Sequence, residues 1–352
     1  MPMTPRQRWS ALLMKQPTDR LPTDYWATPE FHKKLRQALD CPTDEALWRR
    51  LGIDRPRGAD PRWKYSHHPD DPQANMWGMR HRRIDYGAGA YDEVAFNPLG
   101  GANTADDVLA FRWPDPDDFD YSVITDQLLK DDGYRMIQGG CYEPFWIYRY
   151  MRGDELAYED FLAAPEIVAA ALDKIFTFHH EYNRRIFDAG RGRIDMMYLA
   201  EDLGAQTGPL FGLDIYRRFF LPNQRKMAGL ARSYGVHVFY HTDGAARAFL
   251  PDLIHNVGIE ILNPIQWRCS GMEREALARD FGGDVVFHGA VDNQYTLPFG
   301  TPEQVAEEVR RTAEIFRSCR WICAPCHNIQ PNTPVENVIA MYEAAARIKA
   351  TA

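Results

Sequence analysis

Val236-His237-Val238-Phe239-Tyr240-His241-Thr242-Asp243-Gly244 is the stretch on which the fold of this chain turns. Its first five residues are mostly β-branched and aromatic, without sustained polar alternation, and read as a strand covered on both faces. The run gives way at once to His241, Thr242 and Asp243. A distant segment repeats the arrangement: Arg320-Trp321-Ile322 leads into Cys323-Ala324-Pro325-Cys326-His327-Asn328. Polar side chains at the exits of parallel strands are where an α/β barrel assembles its active site. A His-x-Asp pair joined by a distant His offers two imidazole nitrogens and one carboxylate, enough for three positions on a divalent metal. His241, Asp243 and His327 are therefore candidate metal ligands.

Outward from these segments, apolar runs alternate with amphipathic stretches from residue 134 onward. The runs are 134–138, 194–199, 236–240, 259–262, 285–287 and 321–324; helical patterns occupy 165–187, 213–233, 245–256, 273–281 and 302–318. Continuous apolar strands separated by helices imply a parallel sheet covered by helices. Six such units, with a further strand over Leu21–Trp26, come close to eight, so a (β/α)8 TIM barrel is expected over an open doubly wound sheet. No G-x-G-x-x-G follows a strand, and Gly139-Gly140 lacks a third glycine. Residues 1–130 differ in character, with Pro-Asp punctuation and many aromatics, and read as an irregular N-terminal extension that includes the first barrel unit. Thr4 and Pro5 cap a helix over Gln7–Leu13. Trp63–Pro98 reads as a hairpin or lid. One domain is expected over 1–352.

The strand exits carry the remaining candidates. Glu143 follows Gly139-Gly140, Asp202 follows 194–199, and Asn263 with Gln266 follow 259–262. His288, Asp292 and Gln294 follow 285–287, and Gln330 lies beyond His327. Trp26, Tyr240, Asn263, Gln266, Asp292, Gln294 and Gln330 are candidate substrate- or cofactor-lining residues. Plainer roles compete: Asp202 and Asp243 as helix N-caps, His288 as a satisfied core histidine, Asn263 and Gln330 as loop braces. Arg80-His81-Arg82-Arg83 reads as a solvated face.

A net charge of −8 with interspersed signs argues against a nucleic-acid or anionic-membrane surface. No apolar stretch approaches the ~20 residues of a membrane helix, and the N-terminus lacks an apolar signal core, so a cytoplasmic location is expected. The six cysteines include one C-x-x-C, Cys323/Cys326, with no second one to complete a zinc knuckle.

The chain resembles the uroporphyrinogen decarboxylase superfamily, which includes cobalamin-dependent methyltransferases. The matching stretches are Thr4-Pro5-Arg6-Gln7-Arg8 with Pro17-Thr18-Asp19-Arg20-Leu21-Pro22, Tyr240-His241-Thr242-Asp243-Gly244, Asn263-Pro264-Ile265-Gln266, Gly289-Ala290-Val291-Asp292, and Ala324-Pro325 through Thr333-Pro334-Val335-Glu336-Asn337. The resemblance implies a (β/α)8 barrel with its pocket at the C-terminal mouth. The methyltransferases of the superfamily hold zinc through His-x-Cys-Gly and a later Pro-Gly-Cys-Gly. Here Asp243 stands where the first cysteine is expected and His327 falls on the second. The implied set is His241, Asp243 and His327, with Asp202 or Glu143 as a fourth ligand or as proton-transfer groups. Such a set suits Zn²⁺ and would also take Fe²⁺ or Mn²⁺. The decarboxylases carry Met-Arg-Gln-Ala-Gly-Arg-Tyr near the N-terminus, whose arginines hold the tetrapyrrole carboxylates. The corresponding Thr23–Phe31 has no arginine, which makes uroporphyrinogen a poor expected substrate.

The resulting expectation is a metal-dependent, corrinoid-linked methyltransferase acting on a small methylated substrate. The corrinoid would sit on a separate protein, and Trp26, Trp63, Trp77 and Tyr86 would cover the mouth. The alternatives are a metal-free carboxy-lyase and a non-catalytic tetrapyrrole or corrinoid binder. Homodimers are frequent among such barrels.

Overall fold

The computed structural model describes residues 2–87 and 89–349; Met1, Ala88 and 350–352, parts of the expected extension and domain, lie outside the described residues. Seven strands form one parallel sheet in chain order: β1 (Arg57–Gly58), β2 (Ile137–Tyr142), β3 (Met196–Ala200), β4 (His237–His241), β5 (Ile261–Asn263), β6 (Val286–Val291) and β7 (Arg320–Pro325). Helices fill the connections, as the strand–helix alternation requires. The expected eighth strand over Leu21–Trp26 is not a regular ladder. It makes a single parallel bridge between Thr23 and Cys323 of β7, while the Thr23 carbonyl accepts from Asp54 N–H at 3.0 Å, just ahead of β1. The sheet is thus a curled seven-stranded parallel sheet with an extended segment across the gap between its edges.

Alternate strand residues point to opposite sides. Met196, Phe239, Ile261, Val286 and Ile322 point inward and pack with Trp9 and Leu12 of helix α1 (Pro5–Leu13), a small apolar plug separate from the main core. Helix α1 starts as expected: Thr4 makes a reciprocal capping box with Gln7, and Pro5 sits at the first turn. Such a cap is worth about 1 kcal/mol. Buried Arg8 on α1 donates to Asp54 at 2.5 Å and to Asp19 at 2.7 Å, and Arg20 also holds Asp54 at 2.9 Å. This network fastens the N-terminal segment to the start of the sheet.

Some elements differ from expectation. The 213–233 pattern divides into Leu213–Phe219 and Leu221–Ser233, because Pro222 removes an N–H that a continuous helix would use. The 245–256 pattern is a 3-10 turn, Arg247–Phe249, and a single wide turn, Asp252–Val257, on either side of Pro251. Strand β2 runs through Gly139-Gly140 instead of ending before it. Its register shifts between Gln138 and Cys141, with Gly140 at φ +83°, and Asn183 of the long helix Pro165–Gly190 fills the notch by bonding Cys141 N–H and C=O. A Cβ at Gly140 would lie 2.6 Å from Asn183 Oδ1, so only glycine fits this bulge. The 63–98 region contains the antiparallel hairpin Arg80–Asp85/Ala90–Phe96. Its basic stretch is solvated, with Arg80, Arg82 and Arg83 paired to Asp71, Glu93 and Asp92. Among the described residues no helix is long and apolar enough to cross a membrane.

Candidate metal centre

One layer above the apolar plug, the inward positions turn polar. The β4–β5 register sets His241 beside Asn263, and His288 follows two residues after Val286 on β6. The parallel ladder therefore places three polar side chains from neighbouring strands side by side. His241 and Asn263 are nearly sealed from solvent, and His288 is fully buried.

The ligating atoms of His241, Asp243 and His327 lie within 4.8 Å of one another. His241 Nε2 is 3.8 Å from Asp243 Oδ1, and His327 Nε2 is 3.7 Å from Asp243 Oδ2. Asp243 Oδ1 is buried with no hydrogen-bond partner among the described residues. An acceptor left unpaired in such a place is costly, and a cation held jointly with the two imidazoles would satisfy it. The residues present therefore fit a divalent metal. Asp202 flanks the group, with Oδ1 at 3.9 Å from His241 Nε2 and accepting from Asp243 N–H at 3.3 Å. Neither Asp202 nor Asp243 caps a helix.

The two loops that carry these aspartates are pressed together backbone to backbone. A Cβ on Gly244 (φ +76°) would fall 2.2 Å from the Gly204 carbonyl oxygen, and one on Gly204 would fall 2.4 Å from Ala245 N. Gln266 Oε1 accepts from Gly244 N–H at 2.6 Å and braces the same loop.

Electrostatics reflect this crowding of carboxyls. Burial pushes Glu143 up to about 7; His241 pulls the other way, while Asp202 and Asp243 add to the rise. Burial likewise raises Asp243 against the opposing charge of His241 and His327. Glu201 is fully buried and pushed well up by burial; one oxygen accepts from Phe145 N–H at 3.0 Å and the other has no partner among the described residues. At Asp24, burial opposes ionisation, but the His288 hydrogen bond and the Arg55 charge hold the carboxyl below its ordinary range.

Two cavities flank the ligand group. The larger, about 690 Å³, is walled by Tyr25, Trp26, Trp48, Tyr198 and Phe239 with Asp24 and Arg55. Trp26 stacks on His241 at 5.6 Å between ring centroids and 16° between planes. The smaller, about 420 Å³, is lined by Gln206, Gln266, Asn293 and Gln294 together with Asp243 and His327.

The other expected site residues fall into distinct places. Trp26, Gln266 and Gln294 line the cavities. Tyr240 does not: its neighbour His241 takes the inward face, so Tyr240 points to the helix layer and accepts from Gln224 Nε2 at 3.0 Å. Asn263 is bonded between His241 and His288 and is not free for a ligand. Asp292 accepts from the N–H groups of Gln294, Tyr295 and Thr296 and pairs with Arg268 at 2.6 Å, a loop anchor. Gln330 is exposed and donates to the Asn328 carbonyl, a loop brace. Of the aromatics expected over the mouth, only Trp26 touches the ligand group. Trp77 packs on Phe178 and His179 of the long helix, Trp63 lies against Tyr65, and Tyr86 stands exposed on the hairpin. Asp24, Arg55 and Tyr198 went unread in the sequence; Tyr198 sits two residues beyond the inward Met196, which is the signal that marks it.

Residues 101–348, more than two thirds of the chain, match the uroporphyrinogen decarboxylase (URO-D) family. The chain belongs to the uroporphyrinogen decarboxylase family. It is 27% identical over 188 residues to a uroporphyrinogen decarboxylase of Geotalea uraniireducens, covering 53% of this chain and 50% of that one. It is 26% identical over 256 residues to one of Geobacter metallireducens, covering 70% and 71%. The chain thus spans about half the length of the first of these relatives. A solved methyltransferase from Methanosarcina mazei shares the fold of this family member, with TM-score 0.66 and 18% identity over 97% of this chain and 98% of that one.

Proposed function

We propose that this member of the uroporphyrinogen decarboxylase family is a divalent-metal-dependent methyltransferase, moving a methyl group between a small O-, N- or S-methyl compound and a corrinoid on a partner protein. The observation that carries this reading is the His241–Asp243–His327 group, with its unpartnered Asp243 Oδ1. Two imidazoles and a carboxylate suit Zn²⁺, and would accept Fe²⁺ or Mn²⁺. When bound there, the metal supplies Lewis acidity to the heteroatom that carries the methyl group.

The chain's own residues do the rest. Glu143, raised to about 7 by burial, would exchange a proton with the leaving group near neutral pH, and Asp202 would back the ligand set. Trp26 and Tyr198 cover His241 and keep water from it, their rings 5.6 and 5.8 Å from the imidazole. Gln206, Gln266, Asn293 and Gln294 offer neutral donors and acceptors to a polar substrate group on the His327 side. Closure into a complete (β/α)8 barrel, through the Thr23 segment, belongs to the same proposal.

The family and the names of its relatives favour a second reading, a metal-free carboxy-lyase. Against it, the larger cavity has one arginine, Arg55, beside two carboxylates, Asp24 and Asp44. Several substrate carboxylates in a partly desolvated pocket require more cationic partners than that.

The test is methyl transfer from a panel of methoxylated aromatics and methylamines to reduced corrinoid, with and without chelator. Transfer that stops on chelation and returns with zinc is expected. A null across the panel in both directions refutes the proposal; chelator-indifferent decarboxylation establishes the rival, and tight corrinoid binding without turnover would leave a carrier.

A further inference from the structure

We propose that Asp24 and His288 are positioning residues of the metal centre: acting through Asn263, they fix the tautomer of His241 so that its Nε2 lone pair faces Asp243 and His327. This rests on the metal-centre reading above and assigns the buried groups behind it. His241 Nδ1 lies 2.6 Å from Asn263 Oδ1, Asn263 Nδ2 lies 2.7 Å from His288 Nδ1, and His288 Nε2 lies 3.0 Å from Asp24 Oδ2. The four side chains form an unbranched line from the ligand to the wall of the aromatic cavity.

The direction of that line is determined at its far end. Asp24 accepts from Tyr25 N–H at 2.7 Å and Trp26 Nε1–H at 3.0 Å, with the Arg55 guanidinium at 3.8 Å. A carboxylate so surrounded only accepts, so the His288 proton sits on Nε2 and donates to it. In the neutral ring Nδ1 is then an acceptor and takes the Asn263 Nδ2–H. The amide has one donor end and one acceptor end, so its Oδ1 must face His241 and accept from Nδ1–H. His241 Nε2 is left unprotonated, 3.8 and 3.9 Å from the Asp243 and Asp202 oxygens. With His288 neutral, reversing any joint would set two donors or two acceptors face to face at hydrogen-bond distance. Asp24, Asn263 and His288 are each at most 3% exposed, so no bulk water relieves the mismatch. Partners of this kind behind a ligating histidine typically set metal affinity by about 10–100-fold. Asp24 is 264 residues from His288 in sequence, so the contact also ties the N-terminal segment to the centre.

Two measurements test this. In metal-free wild-type protein with ¹⁵N-labelled histidine, long-range ¹H–¹⁵N correlation should show opposite tautomers, Nδ1–H for His241 and Nε2–H for His288, assigned with His241→Ala. The same tautomer at both, or Nε2–H at His241, overturns the proposal. Zinc affinity by chelator competition should fall about 10–100-fold in Asn263→Leu, which keeps the volume and loses the acceptor. It should stay within a few-fold in Asn263→Asp, which still accepts from His241 Nδ1–H once a proton is taken up between its other oxygen and His288 Nδ1, and fall in His288→Phe. Equal affinity in Asn263→Leu, His288→Phe and wild type refutes the positioning role while leaving the metal centre standing. A wild type that binds no zinc removes the metal-centre reading itself. If His288→Phe fails to fold, the wild-type tautomers and the Leu/Asp pair at 263 decide.

Discussion

Glu143→Gln should stabilise the metal-free protein at alkaline pH and leave it unchanged in acid. Burial among Asp202 and Asp243 raises the Glu143 carboxyl from 4.5 to about 7. A carboxyl with a raised value in the folded state binds more protons folded than unfolded between those limits, so stability falls as pH rises through the window. Below 4.5 the group is protonated in both states and the penalty vanishes; above 7 it is charged in both, and the folded state carries the full cost of the buried charge. At 1.36 kcal/mol per pH unit, the interval corresponds to at most about 3 kcal/mol, and less to the extent that solvent reaches the site. The glutamine variant keeps the shape and never ionises. Urea denaturation of chelator-treated wild type and variant, from pH 4.5 to 8.5, should show curves that coincide in acid and diverge by up to about 3 kcal/mol above neutrality, with the variant more stable. Parallel curves, or a variant less stable at pH 8.5, would refute the placement of Glu143 as a half-buried acid crowded by other carboxyls.

Gly244→Ala adds a Cβ to a residue at φ +76° and 2.2 Å from the Gly204 oxygen; a loss of at least about 1–3 kcal/mol is expected, with weakened zinc binding. A variant that melts with wild type would show that the two loops are not packed as described. Asp54→Ala leaves Arg8 buried without its 2.5 Å partner, and should cost about 3–5 kcal/mol by urea midpoint; a cost under about 1 kcal/mol would contradict the burial of that network. Cys323 and Cys326 are buried and their thiols pushed up by burial, so both should resist iodoacetamide in native protein. Rapid alkylation of either, seen by mass spectrometry, would be at odds with the structure.

Much of the sheet was legible because each strand from β3 to β7 is a short apolar run ended by polar residues. His241 and His327 announced themselves as breaks in such runs, and Thr4-Pro5 marked a helix start through local capping chemistry alone. Asn263 and His288 were visible as polar residues at strand exits. Their function as partners was not, because a polar residue at an inward position has the same local sequence whether it lines a cavity or holds a neighbouring side chain. Tyr240 could have been excluded from the site, since it precedes the inward His241 on the same strand. The anchoring role of Asp292 was not legible, because a carboxylate that gathers backbone N–H groups has the same local sequence as one that faces a substrate. The Asp24–His288 contact spans 264 residues and leaves no trace in local pattern. The aromatics of residues 63–98 carry no period, so the sequence could not separate Trp77, packed on an outer helix, from Trp26, stacked on His241.

The most direct test of the metal centre is the metal content of freshly purified protein by plasma mass spectrometry, beside His327→Ala. About one equivalent of zinc, iron or manganese in the wild type, lost in the variant, is the expected result, since His327 offers one of the three candidate ligand atoms of the group. Metal absent from both, with zinc also failing to bind on titration, would contradict the metal centre and place the carboxy-lyase reading first.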